Sequence, residues 1–183
     1  MSKLIHDEQI KNYIENKSTR IFSNSNKDLF SILLNEVLKN SHEINWIITN
    51  LEKMKFFLND EGFEKIESFL QGNKSLNIIV LNNSEQIINK FLNLSKKYKN
   101  LKFIKSDNLL NVQDILTWDN IGYRFSPDTK RLTGVACAND KEFTLKCNNM
   151  FKTIMLKNIR KIIFNINYTL KNKGGSELPP LKI

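Results

Sequence analysis

Side chains that could carry out acid–base or nucleophilic chemistry are sparse in this chain of 183 residues. The two histidines are His6 and His42, and the sequence around His42 shows no constellation of serine, cysteine or carboxylate typical of a nucleophile and its base. Cys137 and Cys147 lie ten positions apart, which matches no metal or redox motif and predicts two buried, reduced thiols. Glycine-rich phosphate loops and metal-ligand clusters are absent from the sequence, so it predicts no cofactor and no metal site.

Positive charge is concentrated in the last quarter of the chain. The formal net charge is +9, and residues 141–183 contain nine lysines and arginines against two acids. On a helix, five of these basic residues fall within an arc of about 100°. They form a basic stripe that consists of Lys146, Lys157, Arg160, Lys161 and Lys171. Such a stripe predicts a phosphate-bearing partner such as nucleic acid. The alternative is a solvated helix face with lysines favourably placed near the helix C-terminus.

Three short apolar runs predict the strands that would organise the first half of the chain. Ile44–Thr49, Leu76–Leu81 and Leu101–Lys105 are rich in β-branched residues and lack alternation, which is typical of strands buried on both faces. Helical segments precede and separate these runs. Helix and strand in alternation predict a mostly parallel sheet flanked by helices, and therefore an α/β fold.

Capping signals predict where those helices begin and end. A capping box at Ser25–Asp28 would start the first helix. Asp60 would cap the second helix and Gly72 would end it, while Asn83 or Ser84 would cap the third.

After residue 107 the pattern changes to consecutive strands. Residues 114–119 and 122–128 predict a hairpin, because Asn120 and Gly122 tolerate positive φ in the turn between them. Residues 131–138 predict the last strand, which is followed by a long helix that ends near Leu170.

The chain length fits one domain with a sizeable core. We expect an N-terminal extension over residues 1–24 with an edge strand at Thr19–Ser23, an α/β domain over residues 25–173, and an extended tail over residues 174–183. No apolar run approaches the roughly 20 residues that span a bilayer. The N-terminus does not have the pattern of a signal peptide, so we expect a cytoplasmic protein with no membrane partner.

The order of these elements resembles one domain of the phospholipase D superfamily. The resemblance covers residues 28–156 and is closest to an uncharacterised branch that is often attached to bacterial acetyltransferase domains. It is carried by "WDNIGYRF", "GVACAND" and "NNMFKTI", where the matching residues are Tyr123, Arg124, Asn139, Asp140 and Phe151. It implies a single phospholipase D-like domain.

The chain departs from the superfamily at its catalytic motif, a His-x-Lys followed by an aspartate. The stretch at residues 111–117, "NVQDILT", contains neither histidine nor lysine, although Asp119 lies where the aspartate is expected. Covalent phosphoryl transfer requires the missing nucleophile. The resemblance therefore implies a degenerate domain that is not an enzyme; an enzyme with relocated chemistry is the third hypothesis.

The resemblance also suggests binding residues, each with a structural alternative. Arg124 is either an anion-binding fork in the former phosphate pocket or a structural partner of Asp114 or Asp119. Asn139 either points into that pocket or caps the last helix.

Two aromatic residues of the predicted hairpin also allow two interpretations. Trp118 and Tyr123 either stack on a base or a protein partner, or they are buried over the sheet.

The leading hypothesis is a non-catalytic domain that binds nucleic acid or another phosphate-bearing ligand through Arg124 and the basic stripe. The alternative is a protein-interaction or structural module that acts through a surface or its C-terminal tail. Because superfamily members often pair two domains across a two-fold axis, a homodimer is expected by analogy.

Overall fold

A computed structural model describes residues 2–24, 26–81, 84–106, 112–128 and 132–172, with side chains for 7–23, 26–81, 84–106, 112–128 and 132–158. The helices are α1 (Ser2–Glu15), α2 (Lys27–Asn40), α3 (Leu51–Met54), α4 (Asp60–Gln71), α5 (Glu85–Lys97) and α6 (Lys141–Asn172). The strands are β1 (Ile21–Asn24), β2 (Glu43–Ile48), β3 (Ser75–Val80), β4 (Leu101–Lys105), β5 (Asp114–Trp118), β6 (Gly122–Ser126) and β7 (Gly134–Cys137).

The seven strands form one sheet in the order β1-β7-β6-β5-β2-β3-β4. As predicted, β2, β3 and β4 are adjacent and parallel. Their connections run through α3, α4 and α5, and parallel neighbours need crossovers of this kind. The predicted edge strand is also confirmed, since β1 lies at the opposite edge of the sheet.

The prediction of a mostly parallel sheet is wrong. Of the six strand pairs in the described part of the chain, the two among β2, β3 and β4 are parallel and the other four are antiparallel. The hairpin of β5 and β6 accounts for one antiparallel pair, and β7 adds another beside β6. The remaining two join strands that are distant in sequence, β5 to β2 and β1 to β7.

Two predicted helix starts are corrected by one residue. The N-cap of α2 is Asn26, whose Oδ1 accepts a hydrogen bond from Leu29 N at 2.9 Å. The N-cap of α4 is Asn59 and not Asp60, because the Asn59 Oδ1 accepts from Gly62 N at 2.9 Å. Asparagine can satisfy the amide three residues on, while Asp60 places its charge in the first turn beside the helix dipole.

The other capping predictions agree with the structure. Ser84 occupies the N-cap position of α5, although its side chain makes no cap hydrogen bond there, and Gly72 is the C-cap of α4. In the hairpin turn between β5 and β6, φ is positive at Asp119 (49°) and Asn120 (56°), two residue types that tolerate this conformation. Asn120 was predicted to do so, but Gly122 begins β6 without a positive φ.

The two faces of the sheet are covered differently. On the five-helix face, alternate strand residues such as Ile44, Trp46 and Ile78 join the core formed with α1 to α5. On the α6 face, Ile47 and Ile79 belong to a smaller cluster that α6 covers. Because successive side chains of a strand point to opposite faces, the same strands supply both clusters.

The first 24 residues, expected as an extension, contribute α1, which packs against α2, and β1, which pairs with β7. The predicted tail at residues 174–183 lies outside the described residues.

Candidate functional site

Arg124 lies in the core of the five-helix face. Its side chain is 2% exposed, its guanidinium stacks 3.8 Å from the centroid of the Phe30 ring, and its Nη2 donates to the Leu132 carbonyl at 2.7 Å. Burial lowers the pKa of Arg124 to about 10, and the nearby charge of Asp114 acts in the opposite direction. This geometry is that of a structural arginine, because a surface ligand does not reach the guanidinium.

Trp118 and Tyr123 are both 4% exposed and belong to opposite faces of the sheet. Trp118 fills the space beside Gly122, where an added Cβ would lie 2.1 Å from the indole ring. The Tyr123 ring centroid is 4.4 Å from that of Phe143 at the start of α6, and burial raises the pKa of Tyr123. Neither ring is presented to solvent as a stacking platform, so burial is the interpretation that the structure supports.

Asp140, and not Asn139, caps α6. The Asp140 Oδ1 accepts a hydrogen bond from Phe143 N at 3.0 Å, and the Asp140 carbonyl accepts from Thr144 N at 3.0 Å. Asn139 is half-buried just before this cap, and its backbone N–H contacts the Cys137 thiol. The capping role expected for Asn139 is therefore wrong by one residue.

Two carboxylates near the expected catalytic motif hold the ends of β2. Asp114 accepts hydrogen bonds from the backbone N (2.7 Å) and Oγ1 (2.6 Å) of Thr49, just beyond the end of β2. Asp119 accepts from the backbone N of His42 (2.7 Å) and of Glu43 (3.0 Å), at the start of the same strand. The His42 side chain is exposed, and Asp119 contacts its backbone. These bonds give both carboxylates a structural role.

A hydrogen-bonded chain of neutral side chains lies between the sheet and α6. Asn148 Oδ1 accepts from Thr117 Oγ1 at 2.5 Å and from Asn45 Nδ2 at 3.2 Å. Asn77 Nδ2 donates to Asn45 Oδ1 at 2.9 Å, and Asn148 Nδ2 donates to Asn120 Oδ1 at 2.8 Å. We call these five residues the asparagine network.

The asparagine network was missed by sequence reasoning, although a signal for it exists. Asn45 and Asn77 are amides within otherwise apolar strands, and they are register partners on the α6 face. Thr117 belongs to the stretch where the resemblance expects the catalytic motif. An amide or an alcohol needs an adjacent base to act as a nucleophile, and all five members of the network are neutral.

No metal site is apparent among the described residues, where no three histidine, cysteine or acidic side chains come together in a group that could hold an ion. Cys137 and Cys147 are free and buried, as predicted. Burial raises the pKa of the Cys147 thiol to about 11, which makes it a poor nucleophile at neutral pH.

Two basic-stripe residues of α6 have side chains that the structure describes. Lys146 and Lys157 are both exposed and lie on the same side of the helix, about 16 Å apart along its axis. Lys146 Nζ lies 2.7 Å from Glu142, and this hydrogen bond raises the pKa of Lys146. The side chains of Arg160 and Lys161 lie outside the described residues, although the helix continues past both positions.

Comparisons with known proteins identify the fold. No protein-family model and no curated protein matches this chain. One similar solved structure is TrmBL2, an archaeal chromatin protein described as showing a novel mode of DNA binding, with a TM-score of 0.58 and 13% identity. That match covers 75% of this chain and 52% of TrmBL2, so the chain spans about half the length of that relative.

A second similar structure is Nuc from Salmonella typhimurium, a phospholipase D family member. It has a TM-score of 0.57 and 9% identity, and the match covers 73% of this chain and 92% of Nuc. The chain therefore has a phospholipase D-like fold. At these identities the likeness concerns the fold alone.

Among the described residues, no helix is both long enough and apolar enough to span a membrane.

Proposed function

We propose that this chain is a non-catalytic phospholipase D-like domain that binds nucleic acid through the basic side of α6. The observation that carries the proposal is the exposure of Lys146 and Lys157 on one side of a helix whose segment holds most of the net positive charge. Exposed lysines in a row bind phosphates by charge attraction and counterion release, which requires no base-specific contact.

Because three of the binding residues suggested by the sequence are buried, the proposed interface is limited to the basic residues of α6. Arg124, Tyr123 and Trp118 were candidates from sequence, and each is at most 4% exposed. The proposed interface therefore consists of Lys146, Lys157, Arg160 and Lys161 on α6. The DNA binding of TrmBL2 is compatible with this partner, although it concerns a longer protein.

The proposal that the domain is not an enzyme rests on the chemistry of its side chains. Thr117 and its asparagine partners are neutral, while Asp114 and Asp119 hold backbone amides of β2 and its flanking residues. In the superfamily the nucleophile is a histidine. Here the His42 side chain is exposed, and its backbone contacts Asp119, at the end of β5 opposite to Asp114.

Binding is tested with fluorescence anisotropy on a labelled DNA duplex and a labelled RNA strand. We expect the triple variant Lys157→Ala, Arg160→Ala and Lys161→Ala to bind at least about tenfold more weakly than the wild type to every sequence tested. A matched control replaces exposed Lys11, Lys96 and Lys99 by alanine; both variants have a net charge of +6, from 9 − 3.

The control separates a local interface from overall charge. Affinity should stay within about twofold of the wild type in the control variant, because its changes lie on α1, α5 and the turn after α5. An equal loss in both variants would show that net charge alone attracts the nucleic acid. Unchanged binding by the α6 variant would leave the stripe as a solvated face and favour a protein-interaction module.

Catalytic inactivity is tested by incubating the purified protein with a generic phosphodiester and with nucleic acids, with and without divalent metal ions. We expect no cleavage. Turnover that survives repurification and is lost in a His42→Ala variant would contradict the proposal.

A further inference from the structure

Helix α6 covers only part of its face of the sheet. It packs mainly against β2, β5 and β6, whereas β7 and β1 lie beyond β6 at the edge of the sheet. Val135 and Cys137 of β7 point to this face, because Ala136 between them belongs to the core of the opposite face. Ile21 of β1 is the register partner of Cys137 and points the same way. Ile21 is 61% exposed and Val135 is 39% exposed, so the described residues leave this edge of the face uncovered.

The exposed apolar surface continues from β7 across β6 to α6. Val135 is the register partner of Phe125, whose ring centroid lies 5.8 Å from that of Phe143 at the start of α6. Both phenylalanines are half-buried. Met150 follows Phe143 by two helical turns, about 20° around the helix, and is 41% exposed. We call these residues the apolar patch, and it consists of Ile21, Phe125, Val135, Phe143 and Met150.

Positive charge lies beside the apolar patch on the same side of α6. Met150 is located between Lys146 and Lys157 along the helix, and the three positions fall within an arc of about 40°. Both lysines are exposed. Single exposed apolar residues are ordinary on a protein surface, whereas a contiguous apolar set bordered by charged residues indicates a binding surface. The charge favours an anionic partner, and the apolar patch requires that this partner also has an apolar face.

We infer that this surface binds single-stranded nucleic acid, with phosphates on the lysines of α6 and base faces on the apolar patch; the inference rests on the proposed function. In a duplex the faces of the bases are stacked inside, and the phosphates and sugars outside would leave the apolar patch exposed. An unpaired strand has free, flat base faces, which pack on apolar and aromatic side chains with little dependence on sequence. The open face of β6 and β7 is a flat surface of the kind on which unpaired bases stack in sheet-based RNA-binding domains.

The inference is tested by fluorescence anisotropy with three labelled ligands. They are an oligothymidylate strand of about 12 nucleotides, a duplex of the same length, and an abasic strand that keeps the phosphates and lacks the bases. The duplex has the highest charge density, so attraction to phosphates alone would favour the duplex. We expect the wild type to bind the intact strand at least about tenfold more tightly than either the duplex or the abasic strand.

Two double variants separate the apolar patch from other exposed apolar residues, and neither changes the net charge. Val135→Ser with Met150→Ser should weaken strand binding by at least about fivefold and leave duplex binding within about twofold of the wild type. The control is Leu92→Ser with Leu145→Ser, at two residues that are 41% and 57% exposed on α5 and on the side of α6 away from Phe143. We expect the control to bind the strand within about twofold of the wild type. Circular dichroism should show the same helix content in all three proteins.

The outcomes distinguish this inference from the proposed function. Equal affinity for strand and duplex, equal affinity for intact and abasic strands, or unchanged strand binding by the patch variant would overturn the inference and leave the apolar patch for a protein partner. Equal losses in the patch and control variants would also overturn it. In each of these cases nucleic-acid binding through the basic side of α6 would still stand. No binding of any of the three ligands by the wild type would overturn both.

Discussion

Buried polar residues have different partners on the two faces of the sheet. On the five-helix face, Arg124 is buried inside a continuous apolar core, where its guanidinium donates to the Leu132 carbonyl, stacks on the Phe30 ring and lies near the charge of Asp114. On the α6 face, one helix covers the middle of the sheet, and polar residues are joined in a chain of neutral hydrogen bonds around Asn148. The comparison shows that the face with more cover holds a charge, while the face with less cover holds amides.

Arg124→Ala should cause the largest loss of stability on either face. The substitution removes a side chain that is 2% exposed and leaves a cavity beside Phe30 and an unsatisfied Leu132 carbonyl. We expect the free energy of unfolding to fall by about 3–5 kcal/mol in urea denaturation. Arg20→Ala, at an exposed arginine, should change it by less than about 0.5 kcal/mol. Similar small effects in both variants would contradict the structural role of Arg124.

Asn148→Ala should have a smaller effect, on the α6 face. Asn148 is 3% exposed and connects Asn45, Thr117 and Asn120, so its removal leaves buried polar groups without a partner. We expect a loss of about 2 kcal/mol in the free energy of unfolding. The neighbouring Asn149→Ala is the control, because this side chain is exposed. Equal stability of the two variants would mean that the network contributes nothing to the fold.

The pH dependence of stability tests how deeply the Cys147 thiol is buried on the α6 face. Burial raises its pKa from 9.0 to about 11, so the folded state holds the thiol proton more tightly than the unfolded chain does. The stabilisation that the protonated thiol contributes to the folded state is fully present below pH 9 and is lost as the pH rises towards about 11. We expect wild-type stability to fall over this interval by up to about 2 kcal/mol more than that of Cys147→Ala. Parallel pH profiles of the two proteins would indicate that the thiol is accessible to water.

Asn77→Ala should have the smallest effect of the four. Asn77 is half-buried at the open end of the asparagine network, where water can replace its hydrogen bond to Asn45. We expect less than about 1 kcal/mol of destabilisation in the same urea experiment. A loss as large as that of Asn148→Ala would show that this flank of the α6 face is covered.

The sequence predicted elements whose signals are local. The strands β2, β3 and β4 were recognised from apolar runs, and the turn at Asn120 from its residue types. The pairing of β5 with β2 and of β1 with β7 joins segments far apart in the chain, and no local pattern encodes such a choice. This is why the sheet was expected to be mostly parallel.

The candidate site was predicted less well than the fold. For Arg124 the sequence left two interpretations open, an anion-binding fork and a structural arginine, and full burial was not foreseen because charged residues are seldom fully buried. Its burial depends on Phe30 of α2, more than 90 residues earlier in the chain. Thr117 and Asn148 are ordinary polar residues in the sequence and acquire significance when α6 packs over β5.

The salt dependence of DNA binding tests the central claim most directly. The logarithm of the association constant for a duplex is measured against the logarithm of salt concentration, for the wild type and for the variant Lys157→Ala, Arg160→Ala and Lys161→Ala. We predict a steep negative slope for the wild type, and a slope shallower by about one unit for each phosphate that the variant no longer neutralises. A flat wild-type slope, or identical slopes for the two proteins, would contradict nucleic-acid binding through the basic side of α6.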